Sequence, residues 1–377
     1  MQKKKNGQMH TNRAASSSPG SPSSSGSPSS SGSPSYSGAS SSHTSRFSRV
    51  SQSHFSRFMA KAPLWISGAR PVTLLMSLAS VGSGAATAYL FARSCEPNVT
   101  CTFTGTEPLS GTWWALTILA FSVAAFLQLA ANFVDDAADG IAGRDSTRSK
   151  AAPKRLVASG VDPAKVFRSA GIFTLIAVVC GISACALAGG SRWWLLLVGA
   201  VCAGAAWAYS AGRHPLSMGP WASLAVILIF GFAGVCGTHF LLTGSLSLGA
   251  VIAGCAQGCA CTSVLFVNDI RDAVDDATHG KNTLAVRLGS SASSAFAVCA
   301  AAGPILLAIQ ALSMHAWGAL IVAVAMIGVA VWNPVKWAKS ARDTQQARQR
   351  WTVTLRLMCC LPILLLIGFW MVSFAIA

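Results

Sequence analysis

Residues 113–145 read WWALTILAFSVAAFLQLAANFVDDAADGIAGRD, an unbroken apolar run that ends in four aspartates, Asp135, Asp136, Asp139 and Asp145. The run has the length of about 20 residues that a helix needs to cross the hydrocarbon core of a bilayer. Its apolar residues are continuous and do not alternate, so it reads as a membrane helix and not as a barrel strand. A second stretch repeats the pattern: residues 247–289 read SLGAVIAGCAQGCACTSVLFVNDIRDAVDDATHGKNTLAVRLG, an apolar run followed by Asp269, Asp272, Asp275 and Asp276. The whole chain has 12 acidic residues, and eight of them fall in these two clusters. Charge concentrated where a membrane helix leaves the bilayer is costly without a partner, and a multivalent cation is the natural one.

The rest of the chain agrees with a membrane protein. Of its 377 residues 52% are hydrophobic and only 11% charged, and the mean hydropathy is +0.51. Nine runs qualify as spans, roughly 72–92, 113–134, 166–189, 193–209, 221–242, 247–267, 291–312, 316–334 and 354–376. Expected, therefore, is an all-α integral membrane protein, a bundle of nine transmembrane helices. Basic residues crowd every second connection: Arg144, Arg148, Lys150, Lys154, Arg155 and Lys165, then Arg213, then Arg271, Lys281 and Arg287, then Lys336, Lys339, Arg342, Arg348 and Arg350. The opposite connections hold little beyond Arg93 and Arg192. By the positive-inside rule the N-terminus and both aspartate clusters are cytoplasmic, and nine spans put the C-terminus outside. The +16 net charge then reflects topology and tail, and no nucleic-acid partner is expected.

Residues 1–60 form a separate unit ahead of a membrane domain at 61–377. They hold MQKKK, repeated SPSSSG units, SRFSRVSQSHFSRF and no acid, a composition that does not fold alone and reads as a disordered tail with affinity for anionic lipid. An organelle transit peptide has a similar composition, so both a bacterial inner membrane and a plastid membrane fit. Ten of the 12 cysteines sit inside apolar runs as packing residues, whereas Cys95 and Cys101 share the first external loop. The two aspartate clusters follow the second and sixth spans, a four-helix offset that suggests internal duplication. Trp113, Trp114, Trp193 and Trp194 open spans at the external side and read as an interfacial belt. Gln128, Gln257 and His239 read as interior residues that join helices.

On a helix, Asp135 and Asp139 share a face, as do Asn268, Asp272 and Asp276. Two such faces supply hard oxygen ligands, the setting of magnesium, which keeps several waters and bridges a few carboxylates to phosphate oxygens. Lys154 and Arg155 lie beyond the first cluster, and Arg271, Lys281 and Arg287 surround the second. Carboxylates with metal on one side and cations on the other suit a diphosphate. At the mouth of an apolar cavity, that diphosphate carries a lipid tail, as a prenyl diphosphate does.

The motifs extend this reading. Ala69, Arg70, Pro71, Thr73 and Leu74 spell ARPxTL; Asp136, Asp139, Gly143 and Asp145 belong to a DxxD-type box, with Pro153, Arg155 and Gly160 after it. Asn268, Arg271, Asp272, Asp276, Gly280, Lys281, Thr283, Leu284, Val286, Leu288 and Gly289 form a long second box, and Tyr209, Ser210, Gly212 and Pro215 form a turn. Over about residues 65–375 the chain resembles the UbiA superfamily of intramembrane prenyltransferases, above all the branch that acts on 1,4-dihydroxy-2-naphthoate. Three positions depart from that branch: Asp135 stands where it has Asn, Asp269 and Asp275 are extra acids, and Ser223 replaces an acidic residue.

The resemblance implies a nine-helix fold of UbiA type and magnesium-assisted transfer of a prenyl group from polyprenyl diphosphate to an aromatic acid, within the lipid bilayer. In the naphthoate branch carbon dioxide is lost and demethylmenaquinone forms; 4-hydroxybenzoate and homogentisate are the alternative acceptors, and a cation-coupled transporter is the reading from another class. The resemblance assigns Asp135, Asp136, Asp139, Asp272 and Asp276 to the metal, with Asn268 orienting a metal-bound group. It assigns Lys154, Arg155, Arg271, Lys281, Arg70 and Tyr209 to the substrates. Arg155 and Arg287 also read as interfacial anchors.

Overall fold

In lipid every backbone polar group needs an internal partner, so a continuous apolar run has little choice but to be helical. The structure, a computed structural model, describes residues 63–94, 105–144, 155–313 and 324, and among them all regular structure is helical. A short helix, α1 (residues 63–69), leads into α2 (Pro71–Ser94), α3 (Gly111–Ile141), α4 (Pro163–Ala188) and α5 (Trp194–Ala208). Then come α6 (Trp221–Thr243), α7 (Leu248–Thr278), the single turn α8 (Leu284–Leu288) and α9 (Ala292–Ser313). Among the described residues six helices are long and apolar enough to cross a membrane, and α9 is the helix of a seventh expected span. The tail, Cys95, Cys101, Asp145, Lys154 and the spans expected at 316–334 and 354–376 lie outside the described residues.

Helices α3 and α7 have the same construction. Each is 31 residues long and starts from a serine cap, Ser110 accepting from the Trp113 amide and Ser247 from the Ala250 amide. At 1.5 Å per residue each is about 46 Å long, well beyond the roughly 30 Å hydrocarbon core. The surplus turns are the ones that carry the aspartates. On the outer face of α4 and α5, Ile172, Leu175, Val179, Leu197 and Val201 are exposed, as expected of side chains that meet lipid. Trp114, Trp193 and Trp194 are exposed at helix starts as a belt residue should be, but Trp113 is 1% exposed and packs with Ala88, Tyr89 and Leu241. Its place on α3, one position from Trp114, turns it by about 100° into the bundle.

Helix α6 is not uniform: Ile227–Cys236 is π-helical between two α-helical ends. Small residues let it press against its neighbours. A Cβ on Gly231 would overlap the Gly254 carbonyl oxygen of α7, and one on Gly234 would overlap Ser80 of α2. Met76 of α2, Val226 of α6, Phe266 and Val267 of α7 and Phe296 of α9 form the core that these contacts close. At the other helix ends, Phe133, Val134 and Ala137 of α3 bury Leu156 and Val166 and hold the segment after the first aspartate cluster onto α3.

Candidate active site

The last turns of α3 distribute their aspartates by helical geometry. Asp135 and Asp139, four residues apart, share one guanidinium: Arg155 donates through Nη1 to Asp135 at 3.0 Å and through Nη2 to Asp139 at 3.4 Å. Asp135 also accepts from Arg70 and from Ser210 Oγ at 2.6 Å, and Asp139 accepts from Arg144 Nε at 2.8 Å. Asp136 points elsewhere. It is fully buried, and its two oxygens accept the backbone amides of Leu156 at 2.9 Å and Val157 at 3.1 Å. The resemblance groups Asp136 with the metal carboxylates; one residue's rotation of about 100° turns it to the face where the 155–157 segment lands. There it holds the segment that aims Arg155.

On α7, Asn268, Asp272 and Asp276 follow the expected face, and Arg271 pairs with its neighbour Asp272. Lys281 Nζ lies 3.2 Å from Asp276, placed by a turn in which Gly280 has φ +73° and the Lys281 amide donates to the Asp276 carbonyl. Asn282 then donates from its amide to the Met218 carbonyl, which ties this turn to the α5–α6 connection. Asp275 is exposed, and Arg287, also exposed, donates to Asn282.

Arg70 stands beside the first cluster, and Tyr209 stands near both. Arg70 precedes Pro71, a position where the right-handed helical conformation is disfavoured, and it adopts φ +50° between α1 and α2. Burial works against its charge, but the carboxylates of Asp135, Asp139 and Asp136 outweigh burial and raise its pKa. Tyr209, at the end of α5, has its phenol pKa pushed far up by burial and by the Asp269 and Asp135 carboxylates, one from each cluster. Both residues line a cavity of about 490 Å³ that opens among α2 to α7 and is mostly apolar. Asp135, Asn132 and Asn268 line it too, and the Asn268 Oδ1 is buried without a hydrogen-bond partner.

Arg155 is 8% exposed and bonded to two aspartates, so in this fold it belongs to the cluster and not to the headgroup region. Ser210 and Arg144 were missed as site residues. Ser210 was visible inside the turn motif, and Arg144 sits five residues after Asp139. The oxygen-rich donor set and the unpartnered Asn268 Oδ1 fit a hydrated magnesium ion, which needs few protein carboxylates. Among the described residues no three His, Cys, Asp or Glu side chains already form a cage.

Residues 99–361 match the UbiA prenyltransferase family. The chain belongs to that family. Its UbiA relatives include the 1,4-dihydroxy-2-naphthoate octaprenyltransferase of Mycobacterium tuberculosis, 35% identical over 236 residues, which are 62% of this chain and 72% of that protein. The enzyme of the same name from Escherichia coli is 27% identical over 269 residues, 69% of this chain and 80% of that one. A UbiA homologue from Archaeoglobus fulgidus, solved bound to DMAPP and Mg2+, superposes with TM-score 0.54 at 12% identity, covering 81% of this chain and 99% of that one. A digeranylgeranylglyceryl phosphate synthase does so with TM-score 0.51 at 14% identity, covering 82% and 99%. The solved structures share the UbiA fold; the activity rests on other grounds.

Proposed function

We propose that this chain transfers a polyprenyl group from polyprenyl diphosphate to 1,4-dihydroxy-2-naphthoate with loss of carbon dioxide, giving demethylmenaquinone. The observation that carries the reading is the pair of aspartate clusters, ion-paired with Arg70, Arg155, Arg271 and Lys281, at the ends of helices whose Asp135 and Asn268 line an apolar cavity. The names of the sequence relatives support the naphthoate as acceptor.

Asp139, Asp272 and Asp276, with Asp135, would hold magnesium, and Asn268 would orient a water on it; Asp136 is left out because it is fully buried with both oxygens turned to backbone amides. When bound, the metal neutralises charge that builds on the departing diphosphate. Arg155 and Lys281 supply fixed positive charge to the same oxygens, and Lys154, expected from the sequence to do so too, lies outside the described residues. Arg70, anchored on Asp135, presents its remaining N–H groups at the mouth. The apolar walls exclude water, so that the ring carbon of the acceptor captures the allylic electrophile before hydrolysis does. Tyr209, kept protonated, is a neutral donor beside the diphosphate. The basic connections support a cytoplasmic mouth, in a bacterial inner membrane or its plastid counterpart.

The test is to incubate membranes carrying the protein with labelled polyprenyl diphosphate, magnesium and a panel of aromatic acids. The naphthoate should yield a prenylated, decarboxylated quinol and stoichiometric carbon dioxide. A product with 4-hydroxybenzoate or homogentisate and none with the naphthoate overturns the choice of acceptor.

A further inference from the structure

Prenyl diphosphate chemistry at the mouth makes no use of a polar row that continues deeper into the cavity. Gln128, Asn132 and Asp135 occupy positions i, i+4 and i+7 of α3, and all three line the cavity. Gln128 therefore lies seven residues, about 10 Å, farther along the helix than Asp135. Asn132 is committed in both its N–H groups: Nδ2 donates to the Ala69 carbonyl at 2.7 Å and to Thr73 Oγ1 at 2.9 Å, and Oδ1 accepts from Gln128 Nε2 at 3.1 Å. Gln128 is not. One of its two N–H groups goes to Asn132, and its Oε1 takes only a long 3.4 Å bond from Ser77 Oγ of α2.

Other polar side chains deeper in the cavity have spent their donors at home. Ser80 donates to the Met76 carbonyl and Thr238 to the Gly234 carbonyl, each within its own helix. The Asn268 Oδ1 on α7 is the complement of Gln128, a buried acceptor without a donor. The spare N–H of the half-buried Gln128 faces an apolar cavity, and a prenyl chain has no oxygen to offer it.

We propose that Gln128, fixed by Asn132 and Ser77, donates to a ring oxygen of the aromatic acceptor, and that the second lone pair of Asn268 Oδ1, beside the one turned to a metal-bound water, accepts from a hydroxyl of the same ring. The subsite then selects an acceptor with more than one ring hydroxyl over a mono-hydroxylated one. This inference rests on the prenyl-transfer reading and adds to it the side chains that choose the acceptor.

Steady-state kinetics in membranes separate the two ideas. For Gln128→Leu the KM for 1,4-dihydroxy-2-naphthoate should rise about tenfold, while the KM for polyprenyl diphosphate and the magnesium half-saturation stay as in the unsubstituted protein. Ser77→Ala, a smaller change, should move the acceptor KM the same way by about threefold. With a naphthoate that lacks one hydroxyl, the unsubstituted protein should lose about as much as Gln128→Leu loses with the full acceptor, and Gln128→Leu should lose little more. An unchanged acceptor KM, a parallel rise in the KM for the diphosphate, or no preference of the unsubstituted protein between the two naphthoates overturns the subsite. If the unsubstituted protein consumes no polyprenyl diphosphate with any acceptor, the prenyl-transfer reading itself has failed, a result distinct from the others.

Discussion

Replacing Asp136 by Asn separates a carboxylate that binds metal from one that builds the site. The Asp136 oxygens accept two buried amides, Leu156 at 2.9 Å and Val157 at 3.1 Å. Asparagine keeps one acceptor and turns an NH2 group toward the other amide. One charge-assisted bond is lost and one buried N–H is stranded, for a cost of about 2–3 kcal/mol. At that size the apparent Tm should fall by about 5 °C. Arg155 is joined to Leu156, so loosening this segment should also raise the KM for polyprenyl diphosphate. Magnesium half-saturation should stay within about twofold, because the aspartates assigned to the metal are intact. Asp136→Ala removes both acceptors and should cost about 3–6 kcal/mol. Thermal unfolding in detergent, with kinetics at varied magnesium, reads all three quantities. A variant of unchanged Tm whose magnesium half-saturation rises tenfold or more would refute the reasoning and return Asp136 to the metal ligands.

Chelation with EDTA should abolish prenyl transfer and added magnesium restore it, and Asp139→Ala with Asp272→Ala should remain inactive at any magnesium concentration; activity without a divalent ion in a product assay contradicts the metal assignment. Gly231→Ala drives a methyl into the Gly254 carbonyl and should cost about 1–3 kcal/mol in thermal stability, whereas Gly171→Ala, with open space around it, should be neutral. Tyr209 holds its proton more tightly folded than unfolded, so as pH rises past the ordinary phenol value near 10 the unfolded chain releases a proton that the folded chain keeps. Stability should therefore fall above about pH 10, and Tyr209→Phe should flatten that part of a Tm-against-pH curve.

The helical bundle was legible because apolar runs of span length leave the backbone one option, and the aspartates announced themselves by contrast with so acid-poor a chain. Which way each aspartate faces was less accessible. Spacing pairs Asp135 with Asp139, and Arg155 joins that pair in space; the role of Asp136 depends on the return of residues 155–157, a tertiary event that no helical period encodes. Trp113 illustrates the same limit, since amphipathic position at the interface and burial in the bundle have the same local sequence. Hydropathy marks α6 as one span and carries no sign of its change of winding from α to π. Arg70 is intermediate: the following proline warned that the helix breaks there, but its left-handed turn and its bond to Asp135 emerge only when α1, α2 and α3 are assembled.

The π-helical stretch of α6 has a consequence for how this chain tolerates insertions and deletions. Its own Gly231 presses on α7, and residues after it bring His239 to within 3.3 Å of Thr87 on α2 and 5.5 Å of the Phe91 ring. Removing one residue between them, with the π winding kept, would turn everything downstream by nearly a quarter turn and move His239 away from Thr87 and Phe91. Side-chain exchanges along 227–236 that conserve volume leave this phase intact. In α6, then, residue number is under tighter restraint than residue identity, and comparisons between homologues should find that helix varied in letters but fixed in count.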